Sequence, residues 1–302
     1  MAQVGIDIGG TFIKFHALGP DGRVPRDAAG AALESSEPTD LSRGPDSLLD
    51  QLEAIARRLE AAPGLGIGVP GVFEPGKRVL QFNPNLRPLV GVDLGAELER
   101  RLGWPPGSVF VENDANTAAW GEFAFRPDPA VQHMILLTLG TGVGGGIVID
   151  GKLQRGGLGR GVEIGHIRIH DSHARPCGCG LRGCLEAYCS ATAAMARAAE
   201  LGLQGSLAEL AAAARMGAAR EAKLFEDLGE DLGLGLGTLQ TLYEPELFLI
   251  GGGLGKSVEL MQAGIRRGIA QADFLGRDIP VRAATLGNAA GWVGAALLHT
   301  CP

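Results

Sequence analysis

The sequence has no excess of positive charge, few aromatic residues and no apolar run long enough to cross a membrane. Its 302 residues include 34 acidic and 27 basic side chains, for a formal net charge of −7. A chain with this charge balance is not expected to bind nucleic acid. The longest apolar run, near Met134, is interrupted by Thr138 and Gly140 and is too short for a membrane span. We therefore expect neither a nucleic-acid partner nor membrane insertion.

A signal peptide is not expected either, because a strand pattern begins almost at once, near Val4. We therefore expect a cytoplasmic protein in a reducing compartment, where disulfides are rare. The length and the 45% hydrophobic content suit one large domain or two medium domains with well-formed cores. Glycine is abundant, at 48 residues, which directs attention to the loops.

The most glycine-rich loop, Leu139–Gly146, follows an apolar strand pattern over Met134–Leu139. Successive glycines let backbone N–H groups face an anion, and Thr141 adds a hydroxyl donor. The loop lacks the Gly-Lys-Ser/Thr ending of a P-loop, and a second strand rather than a helix follows it, unlike a dinucleotide fingerprint. Phosphate binding and a simple glycine-rich hairpin both remain open from this loop alone.

Three of the five cysteines lie within eight residues, namely Cys177, Cys179 and Cys184. Three thiolates need one more ligand to complete a tetrahedral zinc site. His166 is the nearest upstream candidate, and His170 and His173 compete with it. A disulfide and unligated buried thiols are the alternatives, of which the expected reducing compartment disfavours the first. We therefore predict a structural Cys3His zinc site, with Cys189 and Cys301 as ordinary small apolar residues.

The segment Val4–Thr11 has the same order of features as the central glycine loop. Each place shows a strand, a glycine turn with threonine, a second strand and an Asp-Gly turn. This weak repeat, at a spacing of roughly 130 residues, predicts two domains of the same topology. Two such glycine hairpins could grip one polyphosphate. Asp7, at the end of the first strand, is either a turn-capping acid or an outer partner for Mg²⁺.

Polar side chains also gather where a predicted strand ends at Val111. The run Glu112–Asn116 contains asparagine and aspartate, which commonly cap helices, but it is more polar than a cap requires. Open α/β sheets bind ligands at this edge.

Periodicity predicts helices over residues 45–61, 92–102, 117–125, 193–214, 221–242 and 287–298.

The motifs occur in a characteristic order: Asp7-x-Gly-Gly-Thr11, Val69-Pro-Gly71, Glu112-Asn-Asp114-x-Asn116, the loop at Leu139, Glu163-Ile-Gly-His166 and Cys177-x-Cys179-x4-Cys184-x-Glu186. Together they resemble the ROK family of sugar kinases and sugar-responsive repressors, most closely its glucokinase-like members. The resemblance implies an α/β fold with two RNase H-like domains of the hexokinase/actin/chaperone type and an interdomain cleft. The implied smaller domain comprises residues 1–117 plus 289–302, and the larger, zinc-binding domain comprises 118–288.

The same resemblance implies phosphoryl transfer from ATP to a hexose, most closely glucose to glucose 6-phosphate, with Mg²⁺ and with Asp114 as the catalytic base. The implied sugar-binding residues are Gly71, Asn85, Asn113, Asp114, Glu163, His166 and Glu186. The implied phosphate- and nucleotide-binding residues are Asp7, Gly9, Gly10, Thr11, Gly140, Thr141, Gly142, Gly251, Gly252 and Gly253. His166 is implied to join Cys177, Cys179 and Cys184 on zinc, and a homodimer or higher homo-oligomer is expected.

One departure and several alternatives accompany this interpretation. The family often has lysine directly after Gly-Gly-Thr, whereas here Phe12 stands there and Lys14 comes two residues later. An N-acetylated hexosamine or fructose is an alternative acceptor, and polyphosphate an alternative donor. A non-catalytic sugar sensor is disfavoured, because the family's regulators carry a helix-turn-helix before the first motif and Asp7 leaves no room for one.

Overall fold

The computed structural model describes residues 3–74, 78–83, 86–159, 162–171 and 174–302. Its strands are β1 (Val4–Ile8), β2 (Phe12–Ala17), β3 (Ser35–Pro38), β4 (Leu65–Val69), β5 (Val72–Phe73), β6 (Leu80–Phe82), β7 (Val109–Asn113), β8 (Met134–Leu139), β9 (Val143–Ile149), β10 (Lys152–Leu153), β11 (Leu247–Gly251) and β12 (Val281–Ala283).

Its α-helices are α1 (Pro45–Arg58), α2 (Leu94–Leu102), α3 (Asp114–Ala124), α4 (Glu186–Cys189), α5 (Ala191–Glu200), α6 (Leu207–Arg215), α7 (Ala219–Tyr243), α8 (Gly252–Gly255), α9 (Val258–Ala272) and α10 (Ala290–Ala296). Short 3₁₀ turns occupy Arg87–Leu89, Ile164–His166, Gly287–Ala289 and Leu298–Thr300. Within the described ranges, no helix combines the length and the apolar character needed to span a membrane.

Two five-stranded sheets repeat one topology. The first has the order β3-β2-β1-β4-β7 and the second the order β10-β9-β8-β11-β12. Numbered within each sheet, both orders read 3-2-1-4-5. In the first sheet β1 pairs antiparallel with β2 and parallel with β4, and in the second β11 runs parallel to both β8 and β12. The repeat predicted from the two glycine turns is therefore present in the backbone.

Contacts divide the chain into two units. The first unit comprises Met1–Pro129, Gly146–Val162 and Leu286–Pro302, and the second comprises Ala130–Gly145 and Glu163–Thr285. The C-terminal residues thus rejoin the first unit. The domain boundaries inferred from the sequence stay a prediction.

The C-terminal helix α10 lies directly on the first sheet because glycines remove side chains at the contact. A Cβ at Gly5 on β1 would lie 1.8 Å from the carbonyl oxygen of Trp292. A Cβ at Gly66 on β4 would lie 1.7 Å from the carbonyl oxygen of Ala295. No side chain fits in either gap, so the backbone of α10 seals one face of β1 and β4.

Helices α7 and α9 of the second unit approach each other in the same way. A Cβ at Gly229 or Gly233 of α7 would lie 2.3 Å from a carbonyl oxygen of α9. Reciprocally, a Cβ at Gly264 or Gly268 of α9 would lie 1.9 or 2.1 Å from a carbonyl oxygen of α7. Part of the high glycine content therefore serves helix packing and not ligand-binding loops.

The single helix predicted over residues 193–214 is wrong. The chain forms α5 and α6 there, separated by a turn in which Gly202 and Gly205 have φ angles of 66° and 105°. Ser206 and Glu209 then form a capping box that starts α6. The alanine-rich composition favours helix on both sides, but these local signals divide it.

Candidate active site and metal centre

The junction between β7 and α3 presents Asn113 and Asp114. Asn113 caps α3, since its Oδ1 accepts from the backbone N–H groups of Ala115 and Asn116 at 2.9 and 3.2 Å. Its Nδ2 donates to the carbonyl oxygen of Gly71 at 3.2 Å. The helix therefore begins at Asp114, three residues earlier than predicted, because the cap precedes it.

Asp114 is half-buried and is the first residue of α3. Its Oδ1 accepts from the backbone N–H of Ala115 at 2.9 Å. The positive end of a helix dipole favours a negative charge at this place. The polar run was interpreted either as a helix cap or as a ligand-binding group. Asn113 provides the cap, and Asp114 provides a carboxylate that is available for the second role.

Asp7 belongs to the same unit and interacts electrostatically with Asp114. Burial, together with the charge of Asp114, raises the pKa of Asp7 to about 7, although Lys14 opposes the shift. Lys14 is the cross-strand partner of Asp7 in the β1–β2 pair. Gly291 provides the space for the carboxylate, because a Cβ there would lie 2.3 Å from Asp7 Oδ2. Two interacting carboxyl groups, Asp7 and Asp114, therefore belong to the unit that holds the first glycine hairpin.

The residues of the first glycine hairpin have different roles. Gly9 closes the turn by donating its N–H to the carbonyl oxygen of Phe12 at 2.8 Å, and Gly10 and Thr11 are exposed. Lys14, not Phe12, supplies the positive charge, and its Nζ lies 3.7 Å from Glu34 Oε1.

Position 71 requires glycine because of its backbone conformation and its close neighbours. Its φ is 120°, and a Cβ there would lie 2.5 Å from the carbonyl oxygen of Phe82. Asn83 is 2% exposed and accepts from the backbone N–H of Leu86 at 2.9 Å, so it orders its own turn. Asn85, which the sequence analysis placed among the sugar-binding residues, lies outside the described residues.

In the second unit, Glu186 is held against the central glycine loop. Its Oε2 accepts from the backbone N–H of Val143 at 3.1 Å. A Cβ at Gly142 would lie 2.5 Å from the same oxygen, so glycine is needed there to admit the carboxylate. Thr141 is anchored through its carbonyl oxygen, which accepts from Thr192 Oγ1 at 2.9 Å. Gly140 differs, because a Cβ there would meet nothing within 4 Å.

The glycines after β11 lie next to the end of β8. Gly252 has a φ of 77°, and a Cβ there would lie 2.4 Å from the carbonyl oxygen of Leu139. Gly251 ends the strand and is buried. Around Gly253, by contrast, a Cβ would meet nothing within 4 Å. Gly140 and Gly253 therefore leave open backbone at which a ligand has room to approach.

The predicted metal ligands meet in the second unit. One atom from each of His166, Cys177, Cys179 and Cys184 lies within 4.8 Å of the other three. Cys177 Sγ is 3.7 Å from His166 Nδ1, and Cys179 Sγ is 3.7 Å from Cys184 Sγ. Ligands of tetrahedral zinc, at 2.0–2.3 Å from the metal, are about 3.5–3.8 Å apart. The donor set and its spacing therefore fit a structural zinc ion.

Of the two histidines that compete with His166, His170 lies among the described residues and has another partner. His170 Nε2 lies 2.8 Å from Asp231 Oδ1, so this ring is directed at α7. His173 lies outside the described residues. Burial raises the pKa of the Cys177 thiol to about 12, which holds for the cluster without a metal. Zinc would hold the cysteines as thiolates.

Sequence reasoning missed two features that position the candidate residues. Gly291 makes room for Asp7, although 284 positions separate them, and no local pattern announces the contact. Arg155 forms an ion pair with Glu112 across 43 positions. The polar run had drawn attention to Glu112, but nothing in the sequence indicated its partner.

Comparison with known proteins agrees with the motifs. The ROK family pattern matches residues 3–301. A glucokinase from Streptomyces coelicolor is 34% identical over 99% of this chain and 98% of its own. An N-acetylmannosamine kinase from Salmonella heidelberg is 32% identical over 99% of this chain and 98% of its own. A crystal structure of a ROK family glucokinase from Streptomyces griseus, in complex with glucose and AMPPNP, covers 99% of both chains with a TM-score of 0.77 and 32% identity.

The chain belongs to the ROK family. The predicted membership is confirmed, and so is the predicted α/β fold with two RNase H-like domains of the hexokinase type.

Proposed function

We propose that the protein is an ATP-dependent hexose kinase that phosphorylates glucose on its 6-hydroxyl. The observation that carries this proposal is the pair of carboxylates, Asp7 and Asp114, beside a glycine hairpin. Full-length similarity to glucokinases supports the choice of reaction.

Asp114 is the proposed general base. Burial and then the charge of Asp114 raise the pKa of Asp7 to about 7, so the two carboxyl groups interact. An ionised Asp114 can accept the proton of the attacking hydroxyl. Phosphoryl transfer otherwise depends on positioning and on charge neutralisation, for which Mg²⁺ supplies positive charge when bound. Asp7 is its proposed outer partner in this chain.

Glycine segments of both units are the proposed phosphate- and nucleotide-binding elements. They comprise Gly9, Gly10 and Thr11 of the first hairpin, Gly140, Thr141 and Gly142 of the second, and Gly251, Gly252 and Gly253 after β11. The free space beside Gly140 and Gly253 supports this assignment, since a ligand can approach the backbone closely there.

The proposed sugar-binding residues are Gly71, Asn113 and Asp114 in the first unit, and Glu163, His166 and Glu186 in the second. Carboxylates accept strong hydrogen bonds from sugar hydroxyls. His166 Nδ1 faces Cys177 Sγ, which leaves Nε2 for a hydroxyl. Zinc would fix the tautomer and the orientation of this ring. The zinc ion would thus be structural, yet it would also orient His166, which is proposed to bind the sugar.

The compartment and the assembly are further parts of the proposal. A reducing cytoplasm suits a chain whose five cysteines are all free. A homodimer or higher homo-oligomer remains a prediction from the family resemblance.

A coupled ADP-release assay across a panel of hexoses tests the proposal. Glucose should give a higher kcat/KM than N-acetylmannosamine, N-acetylglucosamine or fructose, because a site built for hydroxyls rejects groups that leave buried acceptors unpaired. The N-acetylmannosamine kinase relative makes that sugar the main competitor. A higher kcat/KM for any competitor refutes the choice of glucose as the substrate. Inactivity with every hexose refutes the proposal that the protein is a hexose kinase. Replacing ATP by polyphosphate in a parallel series identifies the phosphoryl donor.

A further inference from the structure

The carboxylate of Glu112 holds the strand-to-helix junction of the first unit in place. Glu112 lies on β7, directly before Asn113 and Asp114. Its Oε1 accepts from the backbone N–H of Asn113 at 2.9 Å and from Asn116 Nδ2 at 3.0 Å. Its Oε2 accepts from Arg155 Nε at 2.5 Å. Both oxygens therefore bond to protein groups that surround the proposed base.

Arg155 links this junction to two other segments. It follows β10, and its Nη2 donates to Cys301 Sγ at 3.2 Å, near the chain end. Burial by itself lowers the pKa of Arg155, yet the charge of Glu112 and its hydrogen bond together raise that pKa above its ordinary value. The Glu112 side chain is 12% exposed and that of Arg155 is 38% exposed. A pair of which one partner is mostly shielded costs more to break than a fully solvated one.

Arg155 also stands at the start of a glycine-rich segment, of which the structure describes residues 156–159. Gly156 and Gly159 have φ angles of 73° and 65°. A Cβ at Gly157 would meet nothing within 4 Å. Glycine backbone has the greatest conformational freedom to lose on ordering, and residues 156–159 are exposed. The course of these four residues therefore depends on how Arg155, which precedes them, is anchored.

We propose that Arg155 is a positioning residue for sugar binding and acts through its ion pair with Glu112. This inference rests on the proposed kinase function and extends it to a residue with no assigned role. Glu112 bonds to Asn113 and Asn116 on either side of Asp114, and Arg155 holds the Glu112 carboxylate in place. Breaking the pair therefore loosens the junction that presents Asn113 and Asp114. The hydrogen bonds of the first glycine hairpin, from Gly9 to Phe12 and from Thr39 to Thr11, involve neither residue of the pair, so nucleotide binding should not be affected.

A double-mutant cycle tests the pair. Arg155→Met keeps most of the apolar stem and removes the charge, and Glu112→Gln keeps the shape and removes the charge. Each single variant should raise the KM for the sugar about tenfold, because small displacements of positioned groups are costly. The KM for ATP should stay within about twofold. The double variant should lose no more than either single one, since the two residues act as a unit.

Two further variants separate positioning from general stability. Arg155→Lys keeps the charge but has no fork to reach both Glu112 and Cys301, so it should recover part of the sugar affinity. The matched control is the exposed ion pair of Arg23 with Asp21, also in the first unit, at 3.6 Å. Arg23→Met and Asp21→Asn should leave both KM values unchanged. Thermal unfolding of every variant shows whether each one is folded.

The outcomes are distinguishable. A wild-type chain that phosphorylates no hexose refutes the proposed function itself. An active chain whose folded Arg155→Met variant keeps the wild-type sugar KM refutes only the positioning role. Equal increases in the KM for sugar and for ATP, or additive effects of the two substitutions, also refute it. If Arg155→Met does not fold, the same criteria apply to Glu112→Gln.

Discussion

Replacing Asp7 by asparagine should stabilise the unliganded protein at alkaline pH while it abolishes most activity. The pKa of this carboxyl is raised from 3.8 to about 7, first by burial and then by Asp114. Between these two values the folded state binds more protons than the unfolded state. The free energy of unfolding therefore falls as pH rises through this window, and the loss is complete above pH 7.

The magnitude follows from the size of the shift. One pKa unit corresponds to about 1.36 kcal/mol, so ionising Asp7 costs at most about 4 kcal/mol of stability. The side chain is only partly buried, which reduces the expected cost to about 2 kcal/mol. Asparagine has nearly the same shape and no charge to desolvate, so Asp7→Asn should recover this amount at pH 8 and almost nothing at pH 4.

Urea unfolding at several pH values between 4 and 9, without Mg²⁺ or nucleotide, measures the effect. Asp278→Asn, at an exposed position of the second unit, is the control and should leave the pH dependence unchanged. If Asp7→Asn is less stable than the wild type at pH 8, or if both proteins lose stability in parallel as pH rises, then Asp7 is not a strained carboxylate and the reasoning fails.

Other predictions concern the metal centre and the helix packing. The purified protein should contain about one zinc per chain, and His166→Ala should lose it at chelator concentrations that the wild type withstands; elemental analysis that finds full zinc in this variant would exclude His166 as a ligand. Gly264→Ala should lower the free energy of unfolding by about 1–3 kcal/mol, because its Cβ would lie 1.9 Å from a backbone oxygen of α7. Gly157→Ala, where a Cβ meets nothing within 4 Å, is the control for urea unfolding, and equal effects of the two substitutions would contradict the packing argument.

The sequence predicted the parts of the fold that local patterns determine. The two glycine turns, each between strand patterns, indicated the repeated topology that both sheets show. Helices α1 and α2 lie within the segments predicted from apolar periodicity. The break between α5 and α6 was missed because alanine-rich composition outweighs two glycines and a serine when periodicity alone is considered.

The candidate site was predictable to the extent that its residues cluster along the chain. The spacing of Cys177, Cys179 and Cys184 predicted a metal site. Only the fold distinguishes His166 from His170, because His170 bonds to Asp231. Contacts across long stretches of chain carry no such signal. The space that Gly291 leaves for a distant carboxylate therefore could not be predicted from local patterns.

The central claim is that Asp114 is the base of a sugar kinase, and Asp114→Asn tests it most directly. The measurement is kcat for ADP release with glucose, together with glucose affinity by titration calorimetry of the same preparation. Loss of a general base commonly costs about 10²–10⁴-fold, whereas asparagine preserves the shape of the side chain at the start of α3. The account predicts a loss of turnover of this size with glucose affinity within about threefold of the wild type. A folded Asp114→Asn protein that turns over glucose at nearly the wild-type rate would contradict it.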